Sequence, residues 1–102
     1  MKKFDLSSIA VKEIKDVYSY TVPKGVEGKS KLDNNALIIK RSGKTVYDVD
    51  GKKFTADANN ILFMPAGVEY SMEVEESGAC FVIEFDICNS SNSISCCEFF
   101  FQ

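Results

Sequence analysis

Apolar residues along this chain recur at every second position far more often than at helical spacing, in short bursts separated by turn-favouring residues. Such alternation sets one face of an extended segment against a core and the other toward water. The pattern predicts strands at Val17–Val22, Ala36–Arg41, Lys44–Asp48, Lys53–Thr55, Ile61–Met64, Tyr70–Val74 and Ala79–Ile87. Between them, Ser42-Gly43, Asp50-Gly51, Asp57–Asn60, Pro65-Ala66-Gly67 and Ser77-Gly78 carry residues that tolerate positive φ or close turns with a side chain. Asp50-Gly51 predicts a two-residue hairpin, because a type I′ turn needs positive φ at both centres. Ile9, Val11 and Ile14 fit one face of a short helix capped by Ser7 or Ser8, or an extended arm, and the extended form is favoured. The stretch from Pro23 to Asn35 reads as a long polar loop, a class of segment that often carries function. Asn89–Ser95 reads as a linker, and Phe99, Phe100 and Phe101 need cover from this domain, a second copy or a further segment. The expected layout is an N-terminal arm at 1–16, a barrel at 17–88, and a linker with a C-terminal apolar segment at 89–102.

Composition narrows the function more than the fold. The chain has 102 residues, enough for one core, with 45% hydrophobic and 26% charged residues, which describes a folding globular domain rather than a disordered one. A net charge of −3 and a pI near 4.9 remove the general attraction that nucleic-acid binding requires. The start turns polar at once after Met1-Lys2-Lys3-Phe4, and no apolar run approaches the ~18 residues of a membrane span, so a cytoplasmic chain without membrane contact is expected. Cys80, Cys88, Cys96 and Cys97 lack CxxC spacing and are expected as reduced thiols.

Seven or eight short antiparallel strands hide their apolar faces only by closing into a barrel or pairing as two sheets. The stretch from Leu37 to Phe54, followed by Asn59 to Tyr70 with its Pro65-x-Gly67-x-x-Tyr70 element, resembles the double-stranded β-helix of the cupin superfamily. The run into Cys80-Phe81-Val82-Ile83-Glu84-Phe85-Asp86 is similar to the N-terminal sensor domains of AraC-type bacterial transcription factors. The resemblance covers roughly residues 35–87. It implies an all-β fold, a cupin-like barrel of antiparallel strands related to the jelly roll. It also implies a small-molecule effector, such as a sugar or other metabolite, a homodimer, and contact with DNA only through a separate C-terminal domain. Cupin enzymes generally hold a metal with two histidines and a glutamate from one motif and a histidine from a second. Those positions fall here at Lys29, Lys31, Ala36 and Tyr70, and the chain contains no histidine, so neither metal nor other cofactor is expected.

Alternation places Tyr70, Met72 and Val74 on the inner face, with Thr45, Tyr47 and Val49 on the hairpin and Ala36, Ile38 and Lys40 on the strand before it. Lys29 and Lys31 would stand in the polar loop near the mouth. Glu84 interrupts an apolar run and therefore faces solvent or meets Lys40, Arg41 or a ligand hydroxyl. The expected ligand-binding set is Tyr20, Lys31, Ile38, Tyr47, Tyr70, Met72 and Glu84. No nucleophile–base pair can be assembled, so no catalytic residue is expected. The alternative is a small metal-independent isomerase or epimerase using Tyr47, Tyr70 or Glu84 for proton transfer.

Overall fold

A computed structural model of the chain describes residues 11–87 and 97–100. Nine strands are present among these residues: β1 (Val11–Val22), β2 (Glu27–Lys31), β3 (Asn35–Lys40), β4 (Lys44–Val49), β5 (Lys52–Ala56), β6 (Asn60–Met64), β7 (Glu69–Glu76), β8 (Gly78–Ile87) and β9 (Cys97–Phe100). They pair antiparallel in two sheets, one ordered β1-β8-β3-β6-β9 and the other β2-β7-β4-β5. The chain is all-β with the layout of a cupin-type barrel. The expectations for Ile9, for the linker and for Cys88, Cys96 and Phe101 lie outside the described residues. No helix among the described residues is long and apolar enough to cross a membrane.

The predicted alternation sets the core. Ala36, Ile38, Tyr47, Phe54, Ala56, Leu62, Met64, Cys80 and Val82 form one buried cluster between the sheets, with Tyr70 and Met72 packed against it. At the β4–β5 turn, Asp50 and Gly51 have φ of 53° and 81°, and Val49 pairs with Lys52, as the Asp-Gly signal predicts. The Gly51 amide also donates to Asp48 Oδ1 at 2.9 Å. Asn60 is buried and donates through its side-chain amide to the Thr55 carbonyl at 2.6 Å.

Three segments differ from the expected strand layout. The segment from Pro23 to Asn35 is not one loop, since Glu27–Lys31 forms β2 on β7. All five of its residues are exposed, so no apolar alternation marks it. β1 begins at Val11 rather than Val17, and two register shifts, between Val11 and Glu13 and between Ile14 and Asp16, explain the misleading spacing. Each β-bulge adds a residue and flips the facing of the residues after it. Val11, Ile14 and Val17 therefore pair with Ile87, Phe85 and Ile83 on one face, although they lie three apart in sequence. Cys97–Phe100, read as the start of a connection, is an edge strand on β6.

Both faces of β8 are apolar because both are covered. Val82 and Cys80 face the second sheet, while Phe85 lies on the outer face with its ring 6.2 Å from that of Phe63, and both phenylalanines are buried. That two-sided burial accounts for the near-continuous apolar run from Cys80 to Phe85.

Candidate functional site

The register of β3, β8 and β1 arranges the inner face of the five-stranded sheet in rows. Lys40, Cys80 and Tyr20 form the first row, Ile38, Val82 and Tyr18 the second, and Ala36, Glu84 and Asp16 the third. Leu62 and Met64 on β6 extend the second and third rows. On the facing sheet, Thr45 and Tyr47 of β4 pair with Val74 and Met72 of β7. The inner surface is thus polar at one end, apolar in the middle and acidic at the other.

Four tyrosines line the side where the sheets diverge. The sheets come closest where β5 approaches β6 and β9, whereas the edge strands β1 and β2 have no comparable contact among the described residues. Tyr18 and Tyr20 stack at 6.2 Å between centroids, and Tyr47 meets Tyr70 edge-on at 5.5 Å. Exposure grades from 2% at Tyr47 to 37% at Tyr20, so the aromatic wall runs from the core to the surface. Burial drives the Tyr47 and Tyr20 hydroxyls well above the usual phenol range, and Tyr20 is raised further by Cys80. The Cys80 thiol is also raised, mainly by burial, against lowering by Tyr20 and the Lys40 charge. All three groups are protonated at neutral pH, so this end offers hydrogen-bond donors and a cation rather than a base.

Glu84 faces inward, half-buried, and its partner is Asn34, whose Nδ2 donates to Oε1 at 3.1 Å. Neither of its expected partners meets it: Lys40 lies two rows away, and the Arg41 guanidinium sits 5.8 Å from the Phe81 ring centroid. Tyr18 is raised by burial and then by interaction with the Glu84 carboxylate. A tyrosine and a carboxylate do therefore meet at the acidic end.

Of the expected set, Tyr20, Ile38, Tyr47, Tyr70, Met72 and Glu84 share the inner surface. Lys31 does not: it is exposed and pairs with Glu69 on the outer face of the four-stranded sheet. Lys31 and Tyr70 border a shallow depression of about 520 Å³ together with Asp48, Asp50 and Ser71. Lys29 also faces outward, opposite Ser71, so Gly28 and Ser30 take the inward register in β2. Lys29 and Lys31 thus place no charge between the sheets, where the cation on the inner register is Lys40. Among the described residues no group of three or more Cys, Asp or Glu is placed to hold a metal. Lys40, Cys80, Tyr18 and Asn34 were missed as site residues. Alternation marks the first three as inward, and only the fold brings Asn34 to Glu84.

No protein-family profile matches the chain, and no curated protein matches it at a significant level. Solved structures do. A cupin-2 domain protein of Shewanella frigidimarina is similar with a TM-score of 0.59 at 18% identity, over 76% of this chain and 79% of that one. The fold is that of a cupin. Ethanolamine utilization protein Q of Salmonella typhimurium gives a TM-score of 0.62 at 13% identity over 68% of this chain, which spans only 55% of that protein. ToxT of Vibrio cholerae, an AraC-type regulator solved with an unsaturated fatty acid bound, gives 0.56 at 14% identity, covering 74% of this chain and 31% of ToxT.

Proposed function

We propose that this cupin domain is the effector-binding and dimerising part of an AraC-type regulator, and that it takes a small organic molecule between its two sheets. The observation that carries the reading is the wall formed by Tyr18, Tyr20, Tyr47 and Tyr70 where the sheets diverge, backed by apolar Ile38 and Val82. Mostly apolar surfaces with a few fixed polar groups are the usual make-up of small-molecule sites. The fold likeness to ToxT supports the regulator class. Dimerisation is supported by β1, an edge strand twelve residues long that leaves Ile14 and Val17 59% and 58% exposed. An unpaired edge with an apolar stripe suits a second copy related by a two-fold axis.

The test is a thermal-shift panel of sugars, polyols, amines, organic acids and fatty acids. A true effector at a hundredfold excess over its Kd stabilises the fold by about 2.7 kcal/mol. A flat response across all five classes would overturn the reading. The meeting of Glu84 with Tyr18 favours a second reading, metal-independent proton transfer. It predicts solvent-proton exchange into a bound sugar or hydroxy acid that Glu84→Gln abolishes; an effector that binds without exchange excludes it.

A further inference from the structure

Among the described residues four strands end the two sheets, β1 and β9 on one and β2 and β5 on the other. An open edge pairs with another chain unless charge, proline or a bulge prevents it. β2 carries Glu27, Lys29 and Lys31, and β5 starts with Lys52 and Lys53. β1 is protected only over its first half, where Lys12, Glu13, Lys15, Asp16 and both register shifts lie. The second half, Val17-Tyr18-Ser19-Tyr20-Thr21-Val22, has no charge, no proline and no bulge, and β-branched or aromatic residues fill every position but Ser19. It pairs residue by residue with β8 on one side and with no strand among the described residues on the other. Val17, Ser19, Tyr20 and Thr21 are all exposed.

We infer that this half of β1 joins two copies of the chain, strand to antiparallel strand about a two-fold axis at Ser19, and that the second copy's Tyr18 and Tyr20 thereby extend the aromatic wall. The inference rests on the dimerising part of the reading above and names the contact. A two-fold axis sets one residue opposite itself, and Ser19 is the centre that keeps the longest stretch, residues 16–22, clear of the bulge before Asp16 and of Pro23. On the inner face Tyr18 then stands opposite Tyr20 of the second copy, while on the outer face Val17 meets Thr21. Aromatic and β-branched residues make favourable cross-strand pairs, and Ser19, small and neutral, meets its own copy without repulsion. A foreign strand would have to arrive unpaired and uncharged. A second copy brings such a strand by identity, and one contact satisfies both edges.

The test places Ser19→Cys, Val17→Cys and Thr21→Cys singly in the full chain, at positions whose exposure leaves the core untouched. Each variant and the parent are air-oxidised at equal concentration, with cross-linked product read on non-reducing gels, its peptides by mass spectrometry, and the parent's mass by light scattering. The parent is expected at the mass of two copies. Ser19→Cys is expected to cross-link at least about tenfold faster than either neighbour, because opposed Cα atoms lie roughly 4.5–5.5 Å apart while those of the other two variants are offset by roughly 14 Å along the strands. An equal mixture of the Val17→Cys and Thr21→Cys proteins should cross-link where neither does alone. A dimeric parent whose Ser19→Cys variant gains no such advantage, and whose mixture stays uncoupled, overturns the β1 contact and leaves the dimerising reading in place. A parent that is monomeric at every concentration overturns both, and the thermal-shift panel then decides the binding reading by itself.

Discussion

Gly78 lies where two hairpins touch back to back, and its replacement by alanine tests the packing that fixes the Lys40 end of the sandwich. The β3–β4 turn carries Ser42-Gly43, and β8 starts beside it at Gly78, with the Ala79 amide donating to Ser42 Oγ at 3.0 Å and the Arg41 amide to the Ala79 carbonyl at 3.0 Å. A Cβ on Gly78 would overlap the Ser42 carbonyl and lie 2.6 Å from the Gly43 nitrogen. These are backbone atoms of a hydrogen-bonded turn, so no side chain can swing aside; the turn itself must move. Overpacking against a rigid neighbour costs about 1–3 kcal/mol, and the backbone contact puts Gly78→Ala near the upper end. At about 4–8 °C per kcal/mol for a domain of this size, the melting temperature should fall by roughly 12–24 °C. Gly28→Ala is the internal control: it lies in β2, a Cβ added there would meet nothing within 4 Å, and its φ is ordinary. There the alanine chiefly restricts the unfolded chain and should be neutral or stabilising by up to about 1 kcal/mol. Urea and thermal melts followed by far-ultraviolet circular dichroism give both values. Equal effects of the two substitutions would refute the steric reasoning, as would a Gly78→Ala protein within about 1 kcal/mol of the parent.

Tyr47→Ala should cost about 3–5 kcal/mol in urea melts, as expected for removing a large buried ring, whereas Tyr47→Phe should cost about 1 kcal/mol for the lost hydroxyl interaction with Tyr20. Tyr18, Tyr20, Tyr47 and Cys80 all have raised values, so the folded state holds protons that the unfolded chain releases. Their contribution to stability is intact below the unfolded thiol value of ~8.5 and is lost as pH rises, most steeply past ~10, so urea midpoints should drop between about pH 8 and 10.5; a flat profile would contradict the burial. Cys80 should resist iodoacetamide at about pH 8 in the native protein and react once urea unfolds it, as read by mass spectrometry of its peptide. On the proposed dimer, Val17→Lys places a charge on the exposed stripe of β1 and should lower the light-scattering mass of the parent protein from two copies to one without lowering the melting temperature of the monomer.

Legibility in the sequence depended on whether burial left a trace in the residue pattern. β3, β4 and β8 alternate between core and outer face, and Ile38, Tyr47, Val82 and Cys80 fall where alternation puts them. Asp50-Gly51 states its turn in its backbone preferences alone. β2 left no trace because it buries nothing, and β1 left a false one because its bulges turn a period of two into a spacing of three. The site was legible as an inward list and not as a set of contacts. Glu84 is paired with Asn34 across fifty positions of sequence, a contact that no local pattern encodes. Lys31 and Lys29 went to the wrong face because an alignment without a strand fixes no parity, and a one-residue slip reverses every side chain.

That reversal changes the physical argument about which ligands the interior accepts. Two lysines facing water on β2 would leave an interior cation undisturbed, since charge there is screened and well solvated. Lys40 stands on the inner register beside Cys80 with its stem buried and its ammonium at the solvent boundary, and its charge draws the thiol down against the raising effect of burial. Its positive charge opposes a divalent ion at this end, while the protonated Tyr20, Tyr47 and Cys80 beside it supply hydrogen-bond donors. An effector that shifts a conformational equilibrium must bind one arrangement of the sheets better than another, and at this end a group that accepts hydrogen bonds is the one that gains from those donors.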